Sequence, residues 1–164
     1  MRTNKHSLHH RPLASAHIQQ FKLETWYKYT LYGLIAALFA SGLAWLLAHY
    51  FLRATGEYGE TIHPLEHWAM QAHGALIIPL SFLAGGLLFQ HMRRAFRAQR
   101  NRNSGWGMLL TLAWLALTGY ALYYFASETL RPYWSAAHWV IGLALPLVLC
   151  LHIYLGRKIG PRAQ

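Results

Sequence analysis

AHGALIIPLSFLAGGLLFQH, residues 72–91, decides the fold. It begins and ends on a histidine pair, His73 and His91, and carries no charged residue between them. A run of about 20 apolar residues is what a helix needs to cross a hydrocarbon core. An ionisable side chain inside such a run is costly and marks a functional position. A second stretch, AHWVIGLALPLVLCLH, residues 137–152, has the same plan: Ala-His, an internal proline, a second histidine, then basic residues. The two stretches form a weak internal repeat, with His73, Pro79 and His91 matched by His138, Pro146 and His152.

Working outward, the rest of the chain supports an all-α integral membrane protein. Of its 164 residues 55% are hydrophobic and only 12% charged, with no Asp, seven Trp and ten Tyr. Four spans are expected at about residues 29–52, 66–91, 106–125 and 134–155, by the length rule for membrane helices. Trp26, Tyr27, Trp68, Trp106, Tyr123, Tyr124, Tyr133, Trp134 and Tyr154 gather at their ends, as an interfacial aromatic belt does. Residues 1–28 read as a polar, basic tail with a short amphipathic turn near Ile18–Leu23, and residues 158–164 as a C-terminal tail. The N-terminus lacks the pattern of a cleavable signal. The spans and their connections, residues 29–157, form one domain.

Charge sets the expected orientation. The two tails and the connection 92–105 hold 13 of the 15 Lys and Arg against one acid, Glu24. The other two connections hold Arg53 and Arg131 against Glu57, Glu60, Glu66 and Glu128. The positive-inside rule then gives a four-helix bundle, up-down-up-down, with both termini cytoplasmic, as in a multi-pass protein of the bacterial inner membrane. The same asymmetry accounts for the net charge of +10 by topology and anionic lipid, without nucleic acid.

The histidine spacing points to chemistry. At about 100° per residue, positions 18 apart return to one face of a helix, and positions 14 apart lie about 40° off. His73 and His91 therefore share one stripe, and His138 and His152 share another. The two helices run the same way, so His73 is expected to meet His138 near the outer surface and His91 to meet His152 near the inner one. Each pair suits the two axial positions of one haem iron. The rises differ, about 27 Å against about 21 Å, so tilt or a kink at Pro79 has to absorb about 6 Å. If it does not, His91 is interfacial and one haem remains. Ile77, Leu80 and Ala84 line one stripe, and Gly142, Leu145 and Leu149 the other. Gly33, Gly42, Gly107 and Gly119 give a macrocycle close approach or simply pack helices.

Other residues are weaker candidates. His49 is an alternative to His73 as a ligand. His63 and His67 flank Glu66 and read as surface histidines or as a quinol, metal or proton site. His6, His9, His10 and His17 read as a solvated tail. Arg93, Arg94 and Arg157 on one side, and Arg53 and Arg131 on the other, lie where haem propionates would emerge. Cys150, the single cysteine, reads as a small buried hydrophobe. It excludes a disulfide within the chain, and c-type haem attachment lacks its Cys-x-x-Cys-His.

With these features the chain resembles the small four-helix membrane cytochromes b, among them bacterial b561-type cytochromes and the cytochrome b subunits of hydrogenases and formate dehydrogenases. The resemblance covers about residues 29–157 and rests on four spans, inside termini and paired histidines. It implies non-covalent haem b on His73, His138, His91 and His152, and electron transfer between a quinone pool and a redox partner subunit. It further implies an electron-transfer subunit of an oxidoreductase and not a complete enzyme. Placing two ligands on the second span and two on the fourth is closer to the core of respiratory cytochrome b. Two other readings fit part of the sequence: a cofactor-free anchor or assembly subunit, and a transporter or sensor with histidines as direct metal ligands.

Overall fold

The computed structural model describes residues 24–97 and 101–158. Tail histidines His6, His9, His10 and His17, the turn near Ile18–Leu23 and residues 159–164 lie outside the described residues. Four long helices dominate: α1 (Thr25–Phe51), α2 (Pro64–Leu87), α4 (Arg102–Tyr124) and α5 (Arg131–Lys158). All four are long and apolar enough to cross a membrane. Their outward faces are apolar too, with Phe82 83%, Ile78 75% and Leu147 74% exposed. A helix that is apolar all round belongs in a core or in lipid.

Two features of the chain between the spans differ from a plain loop. Residues expected to form a polar connection instead make a β-hairpin, β1 (Arg53–Gly56) with β2 (Gly59–Ile62), paired from Arg53 opposite Ile62 to Gly56 opposite Gly59. Its two-residue turn, Glu57-Tyr58, is followed by Gly59 at φ 115°, a conformation that only glycine adopts readily. At its other end α2 passes without a break into a π-helical turn, Leu88–Met92, and then α3 (Arg93–Arg97). The second span therefore continues past its expected end, and α4 begins at Arg102, ahead of the Trp106 the sequence suggests.

The helix starts follow from local chemistry. Pro64 occupies the first turn of α2, where its missing N–H costs nothing, and His63 Nδ1 accepts from Leu65 N at 3.1 Å. That capping is what His63 does in the structure. Arg131, at the start of α5, donates to the carbonyls of Leu122 and Ala126 at 3.2 and 3.3 Å. It thereby satisfies carbonyls left over at the end of α4.

α1 packs along α2, α4 along α5, and α1 also touches α5. Tyr27 at the start of α1 donates to the Leu83 carbonyl late in α2, while Ser41 meets His73 early in α2; the two helices are antiparallel. Thr118 with His138 and Ser104 with His152 show the same for α4 and α5. One end of the assembly thus carries the β-hairpin and the α4–α5 connection (the hairpin end). The other carries the start of α1 and the end of α5 (the terminal end). Leu31, Ile35 and Leu145 form a buried cluster, with Leu80, Leu83, Leu87, Met108, Leu112, Leu115 and Leu149 packed on it. All four long helices contribute to this apolar layer.

Candidate functional site

The four histidines of the long apolar segments come together as two pairs, one on each side of that layer. At the hairpin end the His73 and His138 rings have centres 6.2 Å apart and planes at 77°. At the terminal end His91 and His152 have centres 6.4 Å apart and planes at 77°. Both pairs form despite the mismatch in rise expected along the second span. That span contains Pro79, and His91 sits in the π turn, which takes more residues per turn than an α-helix and recurs at functional sites.

Those separations carry information. Two imidazoles joined by a direct hydrogen bond, at about 2.9 Å between nitrogens and about 1.1 Å from nitrogen to ring centre, would have centres about 5.1 Å apart. Two imidazoles on opposite sides of one metal ion, at about 2.0 Å from metal to nitrogen, would have centres about 6.2 Å apart. The observed 6.2 and 6.4 Å are too long for a direct hydrogen bond between the rings and leave room for one ion.

Hydrogen bonds fix which nitrogen carries the hydrogen. His73 Nδ1 lies 3.0 Å from the Leu38 carbonyl and 3.0 Å from Ser41 Oγ. A carbonyl only accepts, so Nδ1 carries the hydrogen and Nε2 keeps its lone pair. His138 Nδ1 lies 2.9 Å from Thr118 Oγ1, whose own hydrogen goes to the Trp114 carbonyl at 2.8 Å. His152 Nδ1 lies 3.0 Å from Ser104 Oγ, whose hydrogen goes to Asn101 Oδ1 at 2.5 Å. In both the hydroxyl has spent its hydrogen and must accept from Nδ1. Three of the four histidines are therefore held as the tautomer with a free Nε2, the form a metal ligand needs. His91 has no hydrogen-bond partner among the described residues.

Glycines make room for two of the rings. A Cβ on Gly42 would lie 3.2 Å from His73 Cε1, and one on Gly119 would lie 3.4 Å from His138 Cε1. Gly33 and Gly107, the other two glycines the sequence suggested, have nothing within 4 Å of such a Cβ. A hydroxyl–glycine step, Ser41-Gly42 or Thr118-Gly119, thus faces each hairpin-end histidine from the preceding long helix. The sequence signal was there, as a short repeat, but it needs the helix pairing to be read.

No family model, curated protein or solved structure matches this chain.

The structure places the remaining candidate residues. His49 does not approach His138 as a substitute ligand; its Nδ1 donates to Glu66 Oε2 at 3.0 Å, because Glu66 is buried on the facing helix. His67 is exposed, in line with the surface reading, and packs edge-on to Trp68. Ile77, expected to line the His73 stripe, is 41% exposed. Cys150 is exposed, not buried, because α5 turns that face outward. Among arginines considered for propionates, Arg131 is used as a helix cap. Arg53, Arg93 and Arg157 are exposed. Among the described residues, His, Cys, Asp and Glu side chains form no group of three or more placed to hold a metal.

Proposed function

We propose that this chain is a membrane electron-transfer protein, with one b-type haem held non-covalently by His73 and His138 and a second by His91 and His152. The observation that carries this is the spacing of the ring centres, 6.2 and 6.4 Å with the same 77° between planes, against about 6.2 Å for two imidazoles that would share one metal ion between them. The free Nε2 atoms fit the same ligand, and Gly42 and Gly119 let the His73 and His138 rings pack close to α1 and α4. Haem bound in this way supplies one-electron redox chemistry.

The chain's own residues do the rest. Ser41, Thr118 and Ser104 orient the imidazoles and raise their basicity through the Nδ1 hydrogen bond. The apolar layer around Leu31, Ile35 and Leu145 keeps water from the space between the pairs. In this reading the four helices cross the bacterial inner membrane up-down-up-down, with both termini cytoplasmic and the β-hairpin outside. Electrons pass between a quinone pool and a redox partner subunit. The chain is one part of an oxidoreductase.

The test is the visible spectrum of the detergent-purified protein, oxidised and dithionite-reduced, with a haem-to-protein ratio. A sharp reduced α-band of bis-histidine haem b at close to two haems per chain is expected. Near-perpendicular ring planes also predict a strongly anisotropic low-spin ferric EPR signal at both sites. A protein that stays colourless under adequate haem supply overturns the reading and returns the anchor or metal-binding alternatives.

A further inference from the structure

One polar cluster remains once the histidine pairs are assigned. Glu66, in the first turn of α2, is buried, with only 7% of its surface exposed. Carboxylates are almost never buried without a partner. Its Oε2 accepts from His49 Nδ1 at 3.0 Å, while its Oε1 is buried with no hydrogen-bond partner among the described residues. His49 stacks on Trp45, one helical turn earlier on α1, with ring centres 4.7 Å and planes 12° apart. The His49 side chain is 43% exposed. Because a carboxylate only accepts, His49 Nδ1 carries the hydrogen and Nε2 presents a free lone pair.

This is how a general base is built. A buried carboxylate on Nδ1 orients the imidazole and stabilises its protonated form, while Nε2 takes the proton. Position gives the base a purpose. Glu66 precedes His73 by seven residues on α2, and His49 follows Ser41 by eight on α1. The cluster therefore sits about 10 Å beyond the His73–His138 pair along the helices, toward the hairpin end. Tyr50, Phe51 and Trp68, close by in sequence, are exposed, so the surroundings suit an apolar molecule arriving from lipid.

We propose that Trp45, His49 and Glu66 form a binding site for the head group of a lipid-soluble hydroquinone, with His49 as the acceptor of its protons. The inference rests on the electron-transfer reading above and adds the donor's site to it. In each of two steps an O–H bond of the hydroquinone breaks, an N–H bond forms at His49 Nε2, and one electron leaves for a one-electron acceptor of the ferric haem class. Two steps convert hydroquinone to quinone with two electrons and two protons released. Between them His49 gives its proton up to water, and the free Oε1 of Glu66 offers a second place for it.

The experiment compares the purified wild-type protein with His49→Gln and Glu66→Gln. Reduction by a short-chain ubiquinol is followed by stopped flow. Binding of the matching oxidised quinone is followed separately by tryptophan fluorescence quenching. Loss of a general base slows a reaction by about 100-fold or more, so reduction by the quinol should fall by about that factor in both variants. Haem content and the dithionite-reduced spectrum should stay the same, and quinone binding should weaken in His49→Gln. His49 is half-exposed, so that variant carries the test if Glu66→Gln fails to fold. Unchanged quinol reduction and quinone binding in a haem-replete His49→Gln overturn the site and leave the electron-transfer reading standing. A wild-type protein without haem overturns the electron-transfer reading, and with it the role of His49.

Discussion

The two histidine pairs have nearly the same ring geometry, but the protein holds them differently. At the hairpin end both imidazoles have a fixed Nδ1. His73 is held by the Leu38 carbonyl and Ser41, and His138 by Thr118. Both sit in regular helix, and a glycine lies against each ring. At the terminal end His152 is fixed by Ser104, which Asn101 braces in turn. His91 is in a π turn and lacks a hydrogen-bond partner among the described residues. The difference teaches that spacing and preorganisation are separate properties. One site is built from both sides, and the other is built mainly from α4 and α5.

The largest effect should come from removing a ligand. His73→Ala or His138→Ala is expected to lower the haem-to-protein ratio from about two to about one, because a metal keeps its protein ligation only while the ligand set is complete. His91→Ala or His152→Ala should remove the other haem. A pyridine haemochrome assay checks this. Two haems retained in His138→Ala would break the comparison at its root.

Next come the hydroxyls that hold Nδ1. Thr118→Val keeps the side-chain shape and removes the acceptor, so haem affinity at the hairpin end should fall by about 10–100-fold, the usual cost of losing such a partner. Thr118→Ser should restore it. Ser41→Ala should cost less, because His73 keeps the Leu38 carbonyl. Ser104→Ala should act at the terminal end and leave the hairpin-end spectrum alone. Haem titration of each variant measures the order. Equal losses for Ser41→Ala and Thr118→Val would show that the carbonyl does not share the work.

A smaller effect should distinguish the two sites in the unaltered protein. Transfer of haem to an apoprotein scavenger should be biphasic, with the terminal-end haem leaving first, by about one order of magnitude in rate if a single second partner is worth about 10-fold. The His138→Ala variant, carrying only the terminal-end site, should show the fast phase alone. A single phase would mean that the π turn holds His91 as firmly as a hydrogen bond would.

Much of this was legible in the chain itself. Four apolar runs, a proline inside each histidine span and a spacing of 18 or 14 residues are enough to pair His73 with His138 and His91 with His152. What stayed hidden depends on two helices at once. Ser41 and Thr118 look like ordinary polar residues in apolar runs until α1 is laid on α2 and α4 on α5. The π turn, too, leaves no mark in residue type, because leucine, phenylalanine and methionine suit an α-helix equally well. Glu66 read as a loop acid, since a single carboxylate near a helix start is usually solvated. Its burial against His49 and the β-hairpin itself came from packing. Cys150 is exposed where the sequence suggests burial, because on a helix that is apolar on every face periodicity cannot tell core from lipid.

The smallest predicted effect tests the glycines. A Cβ at Gly42 would lie 3.2 Å from His73 Cε1, tighter than ordinary van der Waals contact, whereas one at Gly119 would lie 3.4 Å from His138 Cε1. His73 cannot swing freely to relieve that contact, since its Nδ1 is tied to Leu38 and Ser41 on the same helix that carries Gly42. Gly42→Ala should therefore turn or displace the ring by a few tenths of an ångström. The expected result is retained haem with a changed hairpin-end EPR signal, because that signal follows the angle between ligand planes. Gly119→Ala should change it less, and Gly33→Ala, with nothing near its Cβ, should not change it at all. If Gly33→Ala and Gly42→Ala behave alike, the glycine beside His73 is a packing convenience between α1 and α2, and the hairpin-end site owes its order to hydrogen bonds alone.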